Sequence, residues 1–288
     1  MMPTGIRDFD FIPADAFSYE ELTAAYNQTR VDYIVPMPMN VHRLREYVQI
    51  YDVDMSASAV AVDGNEVLGL GMLGVREQRA WITRLGITQN KRRRGAGEGL
   101  VDYLIAQAQQ KEVAYIILEV IENNTPAYAL FSKKGFVPTR DLLVLRRPPA
   151  DIQPPPPTIK FDVFTGPAVL SLLHSRRSTP SWLDEYESLA NAGNLLALQA
   201  TLPDGSYGWL AFQDAPFQLS RLVIQTEQGD PLLVGEALLR KLHASFLLKD
   251  TKTENLPADD PHWPVFEALG YMVSFRRNEM ILHLTAGA

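Results

Sequence analysis

The chain has 288 residues, 46% of them apolar and 21% charged, an ordinary globular composition that excludes wholesale disorder. With no cysteine, disulfide frameworks and thiolate metal sites are excluded, and the five histidines (His42, His174, His243, His262, His283) lack ligand spacing such as H-x-x-x-H, so no metal is expected. The net charge of −7 is uneven: residues 1–149 hold 17 Lys and Arg against 18 Asp and Glu, the remainder 10 against 16, and an acidic second half is a poor partner for nucleic acid.

In chain order, Arg7 to Asp15 reads as an opening strand, with Phe9 and Phe11 alternating with Asp8 and Asp10. Ser18 can cap the next helix, whose first turn carries Glu20 and Glu21. Pro36 and Pro38 interrupt the chain before Asn40 caps a second helix bearing Leu44, Tyr47, Val48 and Tyr51. Ser56–Val62 and Val67–Val75 are two strands joined at Asp63-Gly64, a hairpin signal. A third strand, Trp81–Ile87, runs into a polar, basic turn and then a helix from Gly95 to about Lys111 with one apolar face.

Ala114–Ile121 is nearly continuous in apolar residues, the pattern of a strand buried on both faces, and Glu119 is its only charge. Thr125-Pro126 opens a short helix that Gly135-Phe136 terminates, and Leu142–Leu145 is a last strand. Arg147-Pro148-Pro149 and Gln153 to Pro157 form a stiff connector, which predicts domains at 1–147 and 159–288 around a linker at 148–158. The second half repeats the order. It has a strand (Ile159–Phe164), two helical stretches (Pro167–Ser175, Ser181–Ala192) and three strands (Leu195–Thr201, Tyr207–Gln213, Gln218–Gln225). A helix (Leu232–Phe246), a polar segment to Pro261, a short helix (Pro264–Leu269) and a final strand (Met280–Leu284) follow.

The chemistry concentrates between Trp81 and Gly99. Glycines after a strand let the backbone pack closely, the amides at the following helix start point outward, and the helix dipole favours an anion there. Lys91, Arg92, Arg93 and Arg94 add four cations, so the stretch reads as a pyrophosphate cradle. A Rossmann fingerprint needs a glycine where Leu100 stands, and a P-loop needs a Gly-Lys-Ser/Thr ending that is absent.

Arg92-Arg93-Arg94-Gly95-Ala96-Gly97 resembles the acyl-CoA loop of the GNAT superfamily of N-acyltransferases, written Q/R-x-x-G-x-G/A. The later motif of that family is matched by Leu118-Glu119-Val120, Asn124, Ala127, Leu130 and Gly135-Phe136. The resemblance covers roughly the first 147 residues and implies an α/β (α+β) fold, a mixed, mostly antiparallel sheet flanked by helices. With the repeated order it implies two such domains in tandem. The second loop, Thr226 to Pro231, holds two acids, no arginine and one glycine, so the second copy is expected to have lost CoA.

The resemblance further implies direct acyl transfer from acetyl-CoA to an amine. The loop amides at Arg93, Arg94, Ala96, Gly97 and Glu98 would hold the pyrophosphate, with Arg92 and Gly95 completing the loop. The backbone of Leu85, Gly86 and Ile87 would pair with the pantetheine arm, and Asn124 would bond the same arm. Glu119 is the candidate base, since a lone carboxylate in an apolar strand is costly unless paired or used. Its other reading is a salt bridge, with Arg84 as partner. The family's acid, a tyrosine seven residues after the asparagine, is Phe131 here, beside the cofactor but unable to donate a proton; Tyr128, one turn earlier, is the substitute. Glu98 adds an anion near the phosphates.

Tyr33, Met37, Met39 and Tyr47 would lie near the acceptor opening, or in the core. The functional classes left open are an N-acetyltransferase of a small-molecule or peptide amine, an acetyl-CoA sensor, and an interaction module. No leader is evident and no apolar run approaches roughly 18 residues, so a soluble cytoplasmic protein, monomer or homodimer, is expected.

Overall fold

The computed structural model describes residues 9–31, 34–35, 37–92 and 95–284. The chain forms two compact units, Met1–Thr139 with Glu279–Ala288, and Arg140–Asn278.

The first unit runs β1 (Asp10–Pro13), α1 (Tyr19–Gln28), α2 (Val41–Ile50), β2 (Val53–Asp63), β3 (Glu66–Arg76), β4 (Arg79–Ile87), α3 (Ala96–Gln110), β5 (Tyr115–Ile121) and α4 (Thr125–Lys133). This is the element order expected from the sequence. Local chemistry fixes the helix starts. Ser18 and Glu21 form a reciprocal capping box on α1, and the Asn40 side chain accepts from the Arg43 amide at the start of α2. Antiparallel pairing links β1 to β4 in order, and β4 then runs parallel to β5. One core lies where α3 packs on the sheet (Leu73, Ile82, Val101, Leu104, Ile116, Leu118), and Phe11 packs beside α3 near a second cluster around Leu68 and Leu100. Any side chain at Gly99 would run into the Phe11 ring, so only glycine lets β1 approach α3 here.

The next strand, β6 (Val137–Arg147), passes into the second unit at residue 140. That unit continues with β7 (Lys160–Thr165), α5 (Pro167–His174), α6 (Tyr186–Ala192), β8 (Leu195–Thr201), β9 (Tyr207–Asp214) and β10 (Gln218–Gln228). It then has α7 (Pro231–Ser245), β11 (Asp250–Pro257) and α8 (Trp263–Ala268), and β12 (Met272–His283) returns to the first unit at residue 279. The second core gathers Leu210, Phe212, Leu238, Leu242 and Phe266.

Five expectations are corrected. The unit boundaries do not fall at the proline stretch. Leu143 and Leu145 pack in the second core, where β6 pairs antiparallel with β11, whereas Met280 packs in the first. Each unit therefore takes its last strand from the other half of the sequence; two apolar strands of similar pattern are interchangeable to a sequence reading. The proline connector is part of the second unit, with Arg240 donating to the Gln153 carbonyl at 3.2 Å and Pro154 to Pro157 lining a groove with Lys241 and Ala244. The polar segment before Pro261 contains β11. Its inward residues are Thr251, Thr253 and Asn255, all buried, so the alternation carries no apolar signal. Finally, the helical stretch from Ser181 opens as a short 3-10 turn, Trp182–Asp184, before α6, and β12 begins eight residues earlier than expected.

Candidate active site

The site is built on β4. Its parallel register with β5 runs from Arg79 opposite Tyr115 to Ile82 opposite Leu118, while β4 continues to Ile87 against β3. A register shift between Leu70 and Met72 marks a bulge, and Arg84 sits in it with φ of 52°, a left-handed conformation uncommon for a bulky residue. Beyond the bulge, Leu85, Gly86 and Ile87 are half-buried. A Cβ on Gly86 would stand 2.6 Å from the Thr29 hydroxyl, so the end of α1 rests directly on this backbone. Arg30 donates to the Leu85 carbonyl at 3.1 Å, so one of the backbone groups expected to meet the pantetheine arm already has a partner.

The loop then reaches α3. Arg92 donates to the Ile87 carbonyl at 3.3 Å, and Gly95 takes φ of 91° as the N-cap, a position that glycine occupies without strain. Ala96 is buried, and Gly97 lies against the Ile87 side chain. Gly95 has no side chain with which to cap the first amides of α3. Glu98, expected as an extra anion beside a phosphate, accepts from Lys133 of α4 at 2.8 Å and also pairs with Lys134 at 2.8 Å. These hydrogen bonds pull its carboxyl down to about 2. Two lysines missed from the sequence therefore offset that charge. Arg93, Arg94 and Tyr33 lie outside the described residues.

Glu119 is on β5, half-buried. Burial alternates along the strand, with Ile116, Leu118 and Val120 inside and Tyr115, Ile117 and Glu119 on a half-open face, so β5 is not buried on both sides as expected. The Trp81 indole N–H donates to Glu119 Oε2 at 2.7 Å, a charge-assisted bond that orients the carboxylate and contributes about 1.5–3 kcal/mol. Trp81 was read only as the start of a strand; its register two residues before the glutamate across a parallel pair is the signal that would have found it.

Trp81 also continues an aromatic wall. Its ring lies 6.1 Å from Tyr47 and 5.7 Å from Tyr51, and the Tyr47 hydroxyl bonds Thr83 at 2.5 Å. Burial raises the Tyr47 hydroxyl well above the phenol range, opposed by the nearby Arg84 charge and reinforced by that of Glu119. Arg84 lies 4.2 Å over the Tyr47 ring and donates to the Tyr26 hydroxyl at 3.0 Å. The Met37 sulfur is 3.8 Å from the same guanidinium, and Met39 is tied to Asn27 through two backbone bonds. Of the acceptor-side residues, Tyr47 and Met37 are thus brought to Arg84, while Met39 anchors the chain between α1 and α2.

On α4, Asn124 caps the helix, accepting from the Ala127 amide at 3.4 Å. Phe131 is a core residue with its ring 5.9 Å from Phe136, and Tyr128 lies at the surface. Among the described residues no cluster of three or more His, Cys, Asp or Glu could hold a metal, and no helix is long and apolar enough to cross a membrane.

The site thus consists of a bulged strand leading through a left-handed glycine to a helix start, with an oriented carboxylate on the neighbouring strand. Residues 22–136 match the model of the acetyltransferase (GNAT) family. The solved tandem GNAT protein from the clavulanic acid biosynthesis pathway is similar over 98% of this chain and 99% of its own, with TM-score 0.65 and 15% identity. A GCN5-related N-acetyltransferase from Sphaerobacter thermophilus is similar over 97% of both chains, with TM-score 0.69 and 17% identity. A putative acetyltransferase from Pyrococcus horikoshii is similar over 97% of this chain and 90% of its own, at TM-score 0.60 and 13% identity. No curated protein matches the chain. Residues 22–136 thus match the acetyltransferase (GNAT) family model, and the whole chain has the fold of tandem GNAT proteins.

Proposed function

We propose that the first unit is an acetyl-CoA-dependent N-acetyltransferase that acetylates a primary amine of a small molecule or peptide by direct attack. The observation that carries this is the Glu119 carboxylate, oriented by Trp81 on the half-open face of β5, next to the stretch of β4 that parts from it. The uncapped start of α3, with Gly95 in the left-handed region, fits a pyrophosphate, and acetyl-CoA bound there supplies the activated acyl group. Arg92, Arg93 and Arg94 add positive charge to this cradle, and the amides of Ala96, Gly97 and Glu98 donate to it. Asn124 and the backbone from Leu85 to Ile87 border the pantetheine path.

Glu119 takes the proton of the attacking amine as the new C–N bond forms and the C–S bond breaks. The thiolate leaves without a donor at Phe131, which the thiol pKa of about 8.5 permits. Tyr128, at the surface of α4, is the remaining candidate acid. We place the reaction in the cytoplasm, without nucleic-acid or membrane partner and without metal, and treat the second unit, residues 140–278, as a degenerate GNAT-like copy.

The second reading, an acetyl-CoA sensor, is favoured by one feature: Phe131 is a core ring where the family has its acid. Glu119→Gln separates the two. The transferase reading expects turnover to fall by about 100-fold or more, in the range of lost general-base catalysis, with acetyl-CoA affinity unchanged. Equal turnover in the variant would remove Glu119 as base, and CoA binding with no turnover against any amine would support the sensor.

A further inference from the structure

Arg84 is the feature that the proposed reaction leaves unused. A bulky residue held at φ of 52° is strained, and such strain clusters at functional sites. The guanidinium is fixed from three directions: over the Tyr47 ring at 4.2 Å, over the Tyr26 ring at 5.5 Å, and through NH1 to the Tyr26 hydroxyl at 3.0 Å. Across the same aromatic wall, Trp81 packs beside Tyr47 and holds Glu119. A half-buried cation and a half-buried carboxylate therefore stand at either end of the buried Tyr47–Trp81 ring contact. A guanidinium presents a planar fork of N–H donors that matches a carboxylate and sheds water more readily than an ammonium.

The second unit repeats this position. Ser220-Arg221-Leu222-Val223-Ile224 in β10 echoes Thr83-Arg84-Leu85-Gly86-Ile87 in β4. Arg221 has φ of 54°, again at a register shift, between Ser220 and Val223. There the arginine donates to Gln213 Oε1 at 3.3 Å, and its charge, after that of Arg176, pulls against the rise to about 6 that burial gives the Asp184 carboxyl. The same backbone device thus sets an arginine near an acid of the chain itself.

We propose that the acceptor carries an anionic group as well as its amine, an amino acid or related amino-carboxylate, with Arg84 binding the anion and Glu119 receiving the amine. This rests on the reading of the first unit as an N-acetyltransferase. Arg84 is then a specificity residue, felt in KM more than in kcat.

The test uses the full chain with acetyl-CoA and a matched acceptor panel: amino acids of increasing spacer length, their carboxamides, and the corresponding plain amines, with product read by mass spectrometry. The wild type is expected to favour the acids over their amides by about 10-fold or more in kcat/KM, the scale of one charge-assisted contact. Arg84→Gln collapses that ratio by raising KM for the acids far more than for the amides, and Arg84→Lys restores part of it. Amides or plain amines used as well as the acids by the wild type overturn the proposal and leave the transferase reading standing. An Arg84→Gln protein that keeps the full acid preference overturns it too. If Arg84→Gln does not fold, the wild-type ratio and Arg84→Lys decide. Acetyl-CoA binding with no acceptor acetylated overturns the transferase reading, and this proposal with it.

Discussion

The loop between β4 and α3 and the loop between β10 and α7 occupy the same place in their units, yet they meet their polar groups in opposite ways. Both bend at a left-handed glycine, Gly95 at φ of 91° and Gly229 at 94°. In the first loop no side chain caps the helix, and the neighbouring side chains are basic. In the second, Asp230 caps α7 by accepting from the Leu232 amide at 2.9 Å, and Glu227 accepts from the Trp209 indole at 2.8 Å. Arg177 donates to the Thr226 and Glu227 carbonyls, and Thr226 bonds His262, the residue before α8. His262 is itself held by Asp260 at 2.9 Å. One helix start carries a side-chain cap and the other has a glycine at its cap. The turn geometry is thus the same whether or not a side chain meets the amides that follow it.

The largest effects should come from the glycines themselves. Gly229→Ala places a methyl group against Ser206 as well as straining the backbone, whereas at Gly95 the nearest atom to a new Cβ is 3.9 Å away. Thermal melts should show Gly229→Ala destabilised by about 2–4 kcal/mol and Gly95→Ala by about 1–2 kcal/mol. Equal losses would mean that the second loop is as open as the first.

A buried histidine gives the second unit its own pH signature. Burial and the Arg147 charge lower His243 from 6.5 to about 3, and its Nε2 lies 2.9 Å from the Tyr271 hydroxyl. Because the folded value is depressed, the unfolded chain binds the proton first, and stability is lost as pH falls below 6.5 towards 3. Urea midpoints should show the wild type losing about 2 kcal/mol more than His243→Gln between pH 7 and pH 5. Parallel profiles would place the imidazole in contact with water.

In the first unit, Trp81→Phe removes the indole N–H from Glu119 and should lower kcat about 10-fold with acetyl-CoA affinity intact. Unchanged kcat would show that the carboxylate needs no such orientation. Asp230→Ala should cost about 1 kcal/mol, the value of a helix cap, and leave acetyl-CoA affinity untouched. A change in affinity would tie the second loop to the cofactor.

Much of the first unit was legible because its signals are local. The apolar run into Arg92 and Gly95, the helix caps at Ser18 and Asn40, and the single charge of β5 can all be read from neighbours in sequence. What stayed hidden depends on distant partners. Thr251 and Thr253 make a strand interior only because β6 and β10 flank them. Nothing in Leu142–Leu145 or Met280–Leu284 says which core each will enter. The Trp81 to Glu119 bond needs the parallel register of β4 and β5, and the lysines that offset Glu98 come from another helix.

The difference between the two loops is tested most directly by titrating acetyl-CoA into the full chain by calorimetry, with Gly97→Glu and Arg92→Glu in parallel. One site per chain, in the micromolar range and lost in both variants, is the predicted result. Two sites per chain, or binding that survives both variants, would contradict the account of the second loop as closed and the first as the cofactor's cradle; no binding would remove the cofactor from both.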